Sequence, residues 1–120
     1  DAFSAFLTVK EHLIDINNIH GLEVPLYSPR LKVAGKTDCI AEYKNVLSLI
    51  DFKTARKEKK EEWIQNYFLQ ATCYAMMFEW IYKIAVPQIV VTISVDSAPI
   101  QVFKKDKTQY VDQVLKIFTE

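Results

Sequence analysis

Two runs of strand-forming side chains, residues 36–43 and 46–53, flank the dipeptide Lys44-Asn45, and this hairpin restricts the fold more than any other stretch of the chain. A two-residue loop of type I′ needs both central residues at positive φ, so Lys-Asn is a weaker turn signal than Asn-Gly. A loop symmetric about that pair sets Asp38 directly opposite Asp51. Side chains alternate along a strand, which puts Asp51 and Lys53 on the same face. One hairpin therefore brings two carboxylates and an ammonium to one spot.

The rest of the chain must cover this hairpin. Phe3, Phe6, Leu7, His12, Leu13 and Ile16 recur at helical spacing over residues 3–18, with Gly21 available to end the segment. Pro25 and Pro29 interrupt the next stretch, leaving 22–27 and 30–34 as short extended pieces of the kind that suit a sheet edge. Residues 54–62 carry charge without apolar periodicity and predict an exposed loop. From about residue 61 to 83, Trp63, Tyr67, Gln70, Tyr74, Met77 or Phe78, and Ile81 recur at spacings of three and four, predicting a long helix on the sheet. Residues 88–95 are apolar enough for a central strand, and 100–103 make a short one after Pro99. Residues 106–118 predict a last helix, with Asp106 as N-cap and Tyr110, Val111, Val114, Leu115 and Phe118 as its apolar face. Helix, strands, helix, strands, helix without a repeat or boundary predicts one α/β domain over residues 1–120, with a mixed sheet flanked by helices.

Composition narrows the functional classes. A chain of 120 residues, half apolar and one quarter charged, with two Gly and four Pro, can bury one core. No run approaches the roughly 20 apolar residues that cross a bilayer, and the first residues lack a secretory pattern, so the expectation is a soluble cytoplasmic protein. Fifteen basic and fifteen acidic side chains cancel, so any contact with nucleic acid must come from a local patch. Cys39 and Cys73, each among apolar neighbours, read as core thiols, and two cysteines cannot build a four-cysteine cluster.

Carboxylates beside apolar runs are costly to desolvate unless paired or bound to metal. Two readings of Asp38 and Asp51 stand. Together with a backbone carbonyl such as that of Phe52 and with waters they can hold an octahedral Mg²⁺ or Mn²⁺; otherwise they are solvated strand ends or partners of Lys53 or Lys36. Lys53 can steady an attacking water and the charge growing on a phosphate, although Asp-x-Lys alone is common on surface strands. Gln70 and Tyr74, four apart on one helix face, can orient water, brace Lys53 or bond a phosphate, or else be a partly exposed glutamine beside a core tyrosine. Arg56, Lys57, Lys59 and Lys60 alternate with Glu58, Glu61 and Glu62, as a solvated face does; directly after Lys53 they can also form a phosphate-contacting rim. Lys104, Lys105 and Lys107 default to surface charge. Glu23 reads as a sheet-end carboxylate or a brace for a basic group.

Taken together, Gly35-x-x-Asp38, Asp51-x-Lys53 and Gln70-x-x-x-Tyr74 resemble the motifs of the PD-(D/E)XK nuclease superfamily, in its RecB-like exonuclease branch; they span roughly residues 20–80. The resemblance implies a restriction-endonuclease-like α/β core and a Mg²⁺- or Mn²⁺-dependent deoxyribonuclease, an exonuclease of replication, recombination or repair, in a bacterial, phage or organellar setting. It implies that Asp38, Asp51 and the Phe52 carbonyl ligate the metal, that Lys53 is the catalytic lysine, and that Gln70 and Tyr74 are the helical motif that positions DNA. The implied partner is DNA, single-stranded or with free ends. The branch also carries a metal-ligating His on a helix farther upstream than the 34 residues before Gly35 provide. His12 and His20 are the histidines available, and the expectation is a compact version or a fragment of a larger nuclease. The alternative is a non-catalytic DNA-binding or assembly module that keeps the nuclease fold.

Overall fold

The hairpin forms with the symmetric register. In a computed structural model, which describes residues 2–12, 15–28 and 33–119, Tyr43 pairs with Val46 and the ladder runs back to Cys39 opposite Ile50. Lys44 and Asn45 both take positive φ, 50° and 67°, as the twist of a two-residue hairpin requires. The elements in chain order are α1 (Ala2–His12), β1 (Ile16–Ser28), β2 (Val33–Tyr43), β3 (Val46–Ala55), a 3-10 turn (Glu61–Trp63), α2 (Gln65–Tyr82), β4 (Gln88–Val95), β5 (Gln101–Asp106), a second 3-10 turn (Lys107–Gln109) and α3 (Val111–Thr119).

The sheet has five strands in the order β1-β2-β3-β4-β5. All neighbours are antiparallel except β3 and β4, which run parallel because α2 carries the chain back across the sheet. The sheet is thus mixed, with helices against it.

The period of two sorts the side chains into two cores. Ile40, Leu49, Ile89, Val91 and Ile93 meet Phe68, Ala71, Ala75, Met77 and Phe78 of α2, with Tyr110 and Val114 beside α3. Cys39, Ala41, Ile50 and Val90 form a second cluster with Ile16 and with Phe6 of α1. Strand β4 is buried on both faces from Gln88 to Ile93, which its apolar run predicts. Both cysteines are free and buried. Burial pushes the Cys39 thiol up to about 12, with the Asp38 charge adding to it.

The N-terminal third differs from the helix expected over 3–18. Helix α1 ends at His12, and residues 16–18 already belong to β1, a long edge strand in place of the short piece at 22–27. Of the predicted piece at 30–34, residues 33 and 34 open β2 and the others lie outside the described residues. Apolar spacing misled here because Ile16 packs under α1 from the sheet side, in the same cluster as Phe6. A register shift between Asn17 and Gly21 and positive φ at Asn18 and Glu23 let the strand carry its irregular sequence. Pro25 is accommodated opposite Lys36 on this edge strand. The last helix starts at Val111, later than predicted, because 106 ends β5 and Asp106 makes no side-chain cap. Among the described residues no helix is long and apolar enough to cross a membrane.

Candidate active site

The alternation that buries Ile40 and Leu49 under α2 carries Asp38 and Asp51, two residues farther on, and Lys53, two beyond Asp51, onto the same face. The paired residues of β2 and β3 stop at Cys39 and Ile50, one position short of the carboxylates. Asp38 takes over from the ladder there: its Oδ2 accepts a hydrogen bond from the Phe52 backbone N–H at 2.9 Å. A side chain thereby satisfies a strand amide, and the two strands part enough to leave carboxylates at the opening.

Asp51 is the most strained member electrostatically. Burial first, and then a hydrogen bond with the Asp38 carboxyl, push its pKa up to about 6 against the opposing pull of Lys53. Its side chain is 14% exposed, and Lys53 Nζ lies 3.1 Å from Oδ2. Apart from this ammonium, no donor among the described residues reaches the buried oxygen. The pair is short of positive charge, and its unsatisfied oxygen fits a hard cation. Among the described residues no group of three or more His, Cys, Asp or Glu side chains is placed to hold a metal.

Helix α2 closes the other side. Gln70 Oε1 accepts a hydrogen bond from Lys53 Nζ at 3.2 Å, and the same ammonium sits 4.8 Å from the Tyr67 ring centroid. Lys53 is therefore held by a carboxylate, an amide and an aromatic ring. Helical spacing places Tyr67 only on the apolar face of the helix. Its spacing of three from Gln70 was the available signal, since residues three and four apart share a helix face. Tyr74 is half-buried and turns toward β2: a Cβ built at Gly35 would fall 2.9 Å from its hydroxyl. The glycine of Gly35-x-x-Asp38 thus makes room for the tyrosine of Gln70-x-x-x-Tyr74, a link between the motifs that spacing did not reveal.

The charged segment after β3 is the expected loop. Arg56, Lys57 and Lys60 are exposed, whereas Lys59 is half-buried and its backbone is bound to the Gln101 side chain. Two of the three later lysines are not surface charge. Lys105 pairs with Glu61 at 2.8 Å, and Lys107 pairs with Glu79, each ammonium-bearing chain being mostly buried. Trp63 is also misplaced by helical spacing: it lies in the 3-10 turn before α2 and is exposed. Glu23 braces Lys36 at 3.4 Å, and His20 lies 4.0 Å from the Glu42 carboxylate. The side chain of His12 lies outside the described residues.

No protein-family model matches the chain. Part of it is similar to mitochondrial genome maintenance exonuclease 1. The human protein is 33% identical over 75 residues, covering 59% of this chain and 21% of the relative. The mouse protein is 36% identical over 52 residues, covering 43% and 15%. That of Xenopus tropicalis is 35% identical over 57 residues, covering 47% and 16%. The matched stretch is thus at most about a fifth of the length of these relatives. The crystal structure of SSO0001 superposes with a TM-score of 0.50 over 95% of this chain and 55% of that one, at 11% identity, a likeness of fold. The five-stranded mixed sheet with its helices is compatible with a restriction-endonuclease-like core.

Proposed function

We propose that this chain is a DNA nuclease domain of the PD-(D/E)XK type, in the RecB-like exonuclease branch, which hydrolyses phosphodiester bonds with Mg²⁺ or Mn²⁺. The observation that carries the proposal is the convergence of Asp38, Asp51, Lys53 and Gln70 where the pairing of β2 and β3 ends. The partial similarity to exonucleases of three vertebrates supports it.

Asp38, Asp51 and the Phe52 carbonyl would hold the ion, an all-oxygen set that suits a hard divalent cation completed by waters. When bound, the ion polarises the phosphate and lowers the pKa of a water. Lys53 contributes from the protein side. Fixed by Asp51 and Gln70 and backed by Tyr67, its ammonium is already oriented to bond the attacking water or a phosphate oxygen and to offset the negative charge that develops there. Gln70 keeps the lysine in place, and Tyr74, against Gly35, shapes the wall where the strand would lie. Arg56, Lys57, Lys59 and Lys60 supply the phosphate-contacting rim.

The test is degradation of end-labelled single- and double-stranded DNA by the full chain in Mg²⁺, Mn²⁺ or EDTA. Metal-dependent loss of label is expected, with kcat down roughly 10²–10³-fold or more in Lys53→Ala, the effect of removing one donor to developing charge. A folded chain that leaves both substrates intact overturns the proposal. It would favour the second reading, a non-catalytic DNA-binding or assembly module, which the absence of a three-ligand cluster among the described residues recommends.

A further inference from the structure

We propose that Trp63 is a base-stacking residue, an exposed indole on a braced turn four residues before the Tyr67 that flanks Lys53, and that it takes one unpaired nucleotide of the strand being cut. The inference rests on the nuclease reading above and names a feature by which such a site would favour unpaired DNA.

Tryptophan carries a large apolar surface and is highly buried on average. Trp63 is 60% exposed, although its neighbour Ile64 is 2% exposed and anchors the segment in the core. The indole is therefore not what fastens this stretch of chain. Nor is it on a loose loop. The Gln101 side chain accepts from the Lys59 N–H at 2.8 Å and donates to the Lys59 carbonyl at 2.9 Å, copying the paired bonds of a neighbouring strand. Four residues along the same strand, Lys105 pairs with Glu61 at 2.8 Å. From the other side Gln65 of α2 donates to the Glu61 carbonyl at 3.0 Å, and the Trp63 N–H closes a turn on the Lys60 carbonyl at 2.9 Å. β5 and α2 thus hold the segment between them, so the ordering cost of the backbone that presents the ring is met on folding, not on binding.

Its surroundings suit a nucleotide. Tyr67, whose ring flanks the Lys53 ammonium, follows Trp63 by four residues, so no more than about 14 Å of chain separates them. Arg56, Lys57 and Lys60 are exposed and have no carboxylate partner among the described residues. The Lys60 ammonium lies 5.2 Å from the Trp63 ring centroid, where it can meet a phosphate flanking a stacked base. Glu61 is neutralised by Lys105. Glu58 and Glu62 remain in the run, so stacking selects more than net charge does. Every base has a π-face, which makes such a platform tolerant of sequence, and only an unpaired base can offer it.

The test is anisotropy of fluorescein-labelled oligo(dT), and of a strand of equal length made of abasic sites, titrated with the full chain in EDTA. Trp63→Ala is expected to weaken oligo(dT) binding roughly 5- to 150-fold, the range of one aromatic stack, with partial recovery in Trp63→Phe and no change for the abasic strand. Equal oligo(dT) affinity in wild type and a natively folded Trp63→Ala overturns the platform, as does equal loss on both strands, which marks the segment as general phosphate contact. Degradation of DNA by the wild type in Mg²⁺ reports separately on the nuclease reading. Degradation with unchanged Trp63→Ala binding removes the platform alone, whereas base-specific loss of binding in a chain that cuts nothing upholds the platform and removes the nuclease. A wild-type chain that binds no oligo(dT) overturns the platform and leaves the nuclease reading to the degradation assay.

Discussion

Asp51 is a carboxylate that the fold prefers neutral. Its pKa of about 6, raised from 3.8 chiefly by burial, means that its contribution to stability is fully present below pH 3.8 and is lost as pH rises through 6. In metal-free buffer the shift is worth about 3 kcal/mol between those limits. Urea unfolding in EDTA should therefore show Asp51→Asn gaining on the wild type as pH rises from 4 to 8, by about that amount. A constant difference across that range would mean that Asp51 is not desolvated. The residues that produce this tension were visible in the order Asp38, Asp51, Lys53, because a period of two is enough to place them on one face. The contacts that hold Lys53 were less so. Gln70 was among the candidates, but Tyr67 reaches the ammonium only because α2 lies over that part of β3, and chain periodicity says nothing about the offset of a helix on a sheet.

The hairpin shows how a weak local signal is carried by its neighbours. Lys44 and Asn45 sit in the left-handed region, which suits Asn and costs a lysine. The pairing holds nonetheless, because slipping the register by one residue would turn Ile40 and Leu49 out of one core and Cys39 and Ile50 out of the other. Gln88 adds a bond from its side-chain amide to Ser48 Oγ at 2.9 Å, tying the start of β4 to the hairpin. Replacing Lys44-Asn45 by Asn-Gly should stabilise the protein by about 1 kcal/mol without altering the fold, measured as a higher urea midpoint at unchanged slope. A lower midpoint would show that the Lys44 side chain is needed where it is, for example through its ammonium 5.7 Å from the Tyr43 ring centroid. β1 lies at the opposite limit. Its irregular register, two positive-φ residues and a proline defeat any periodic reading, and it is a strand because β2 offers it an edge.

For the molecule as a whole, the carboxylate opening sits where β2 and β3 part within a sheet whose inner strands are packed on both faces. If Asp38 and Asp51 bind a divalent ion, folding and binding are linked, and saturating ion stabilises the native state by RT ln(1 + [L]/Kd), about 2.7 kcal/mol at a hundredfold excess over Kd. Mg²⁺ or Mn²⁺ should accordingly raise the melting temperature of the wild type by several degrees, EDTA should reverse the rise, and Asp51→Asn should abolish it. An equal rise in both proteins would indicate general ionic effects in place of a site.

The order of elements, the α/β class, the interior position of β4 and the shared face of Asp51 and Lys53 follow from local chemistry: hydrophobic period, proline placement and strand alternation act over a few residues. Three things were settled only by tertiary structure. Gly35 and Tyr74 meet across two elements, where the missing Cβ is the space the phenol needs. Lys105 and Lys107, which look like surface charge in a basic run, are enclosed against Glu61 and Glu79 once β5 lies beside the loop and α2. Trp63 keeps the helical spacing of a core residue yet is left in water, because the chain turns as a 3-10 segment before α2 begins and gives the core Ile64 instead. In the first two cases the deciding contact joins residues far apart in the chain, and no pattern read along the chain encodes the distance between them.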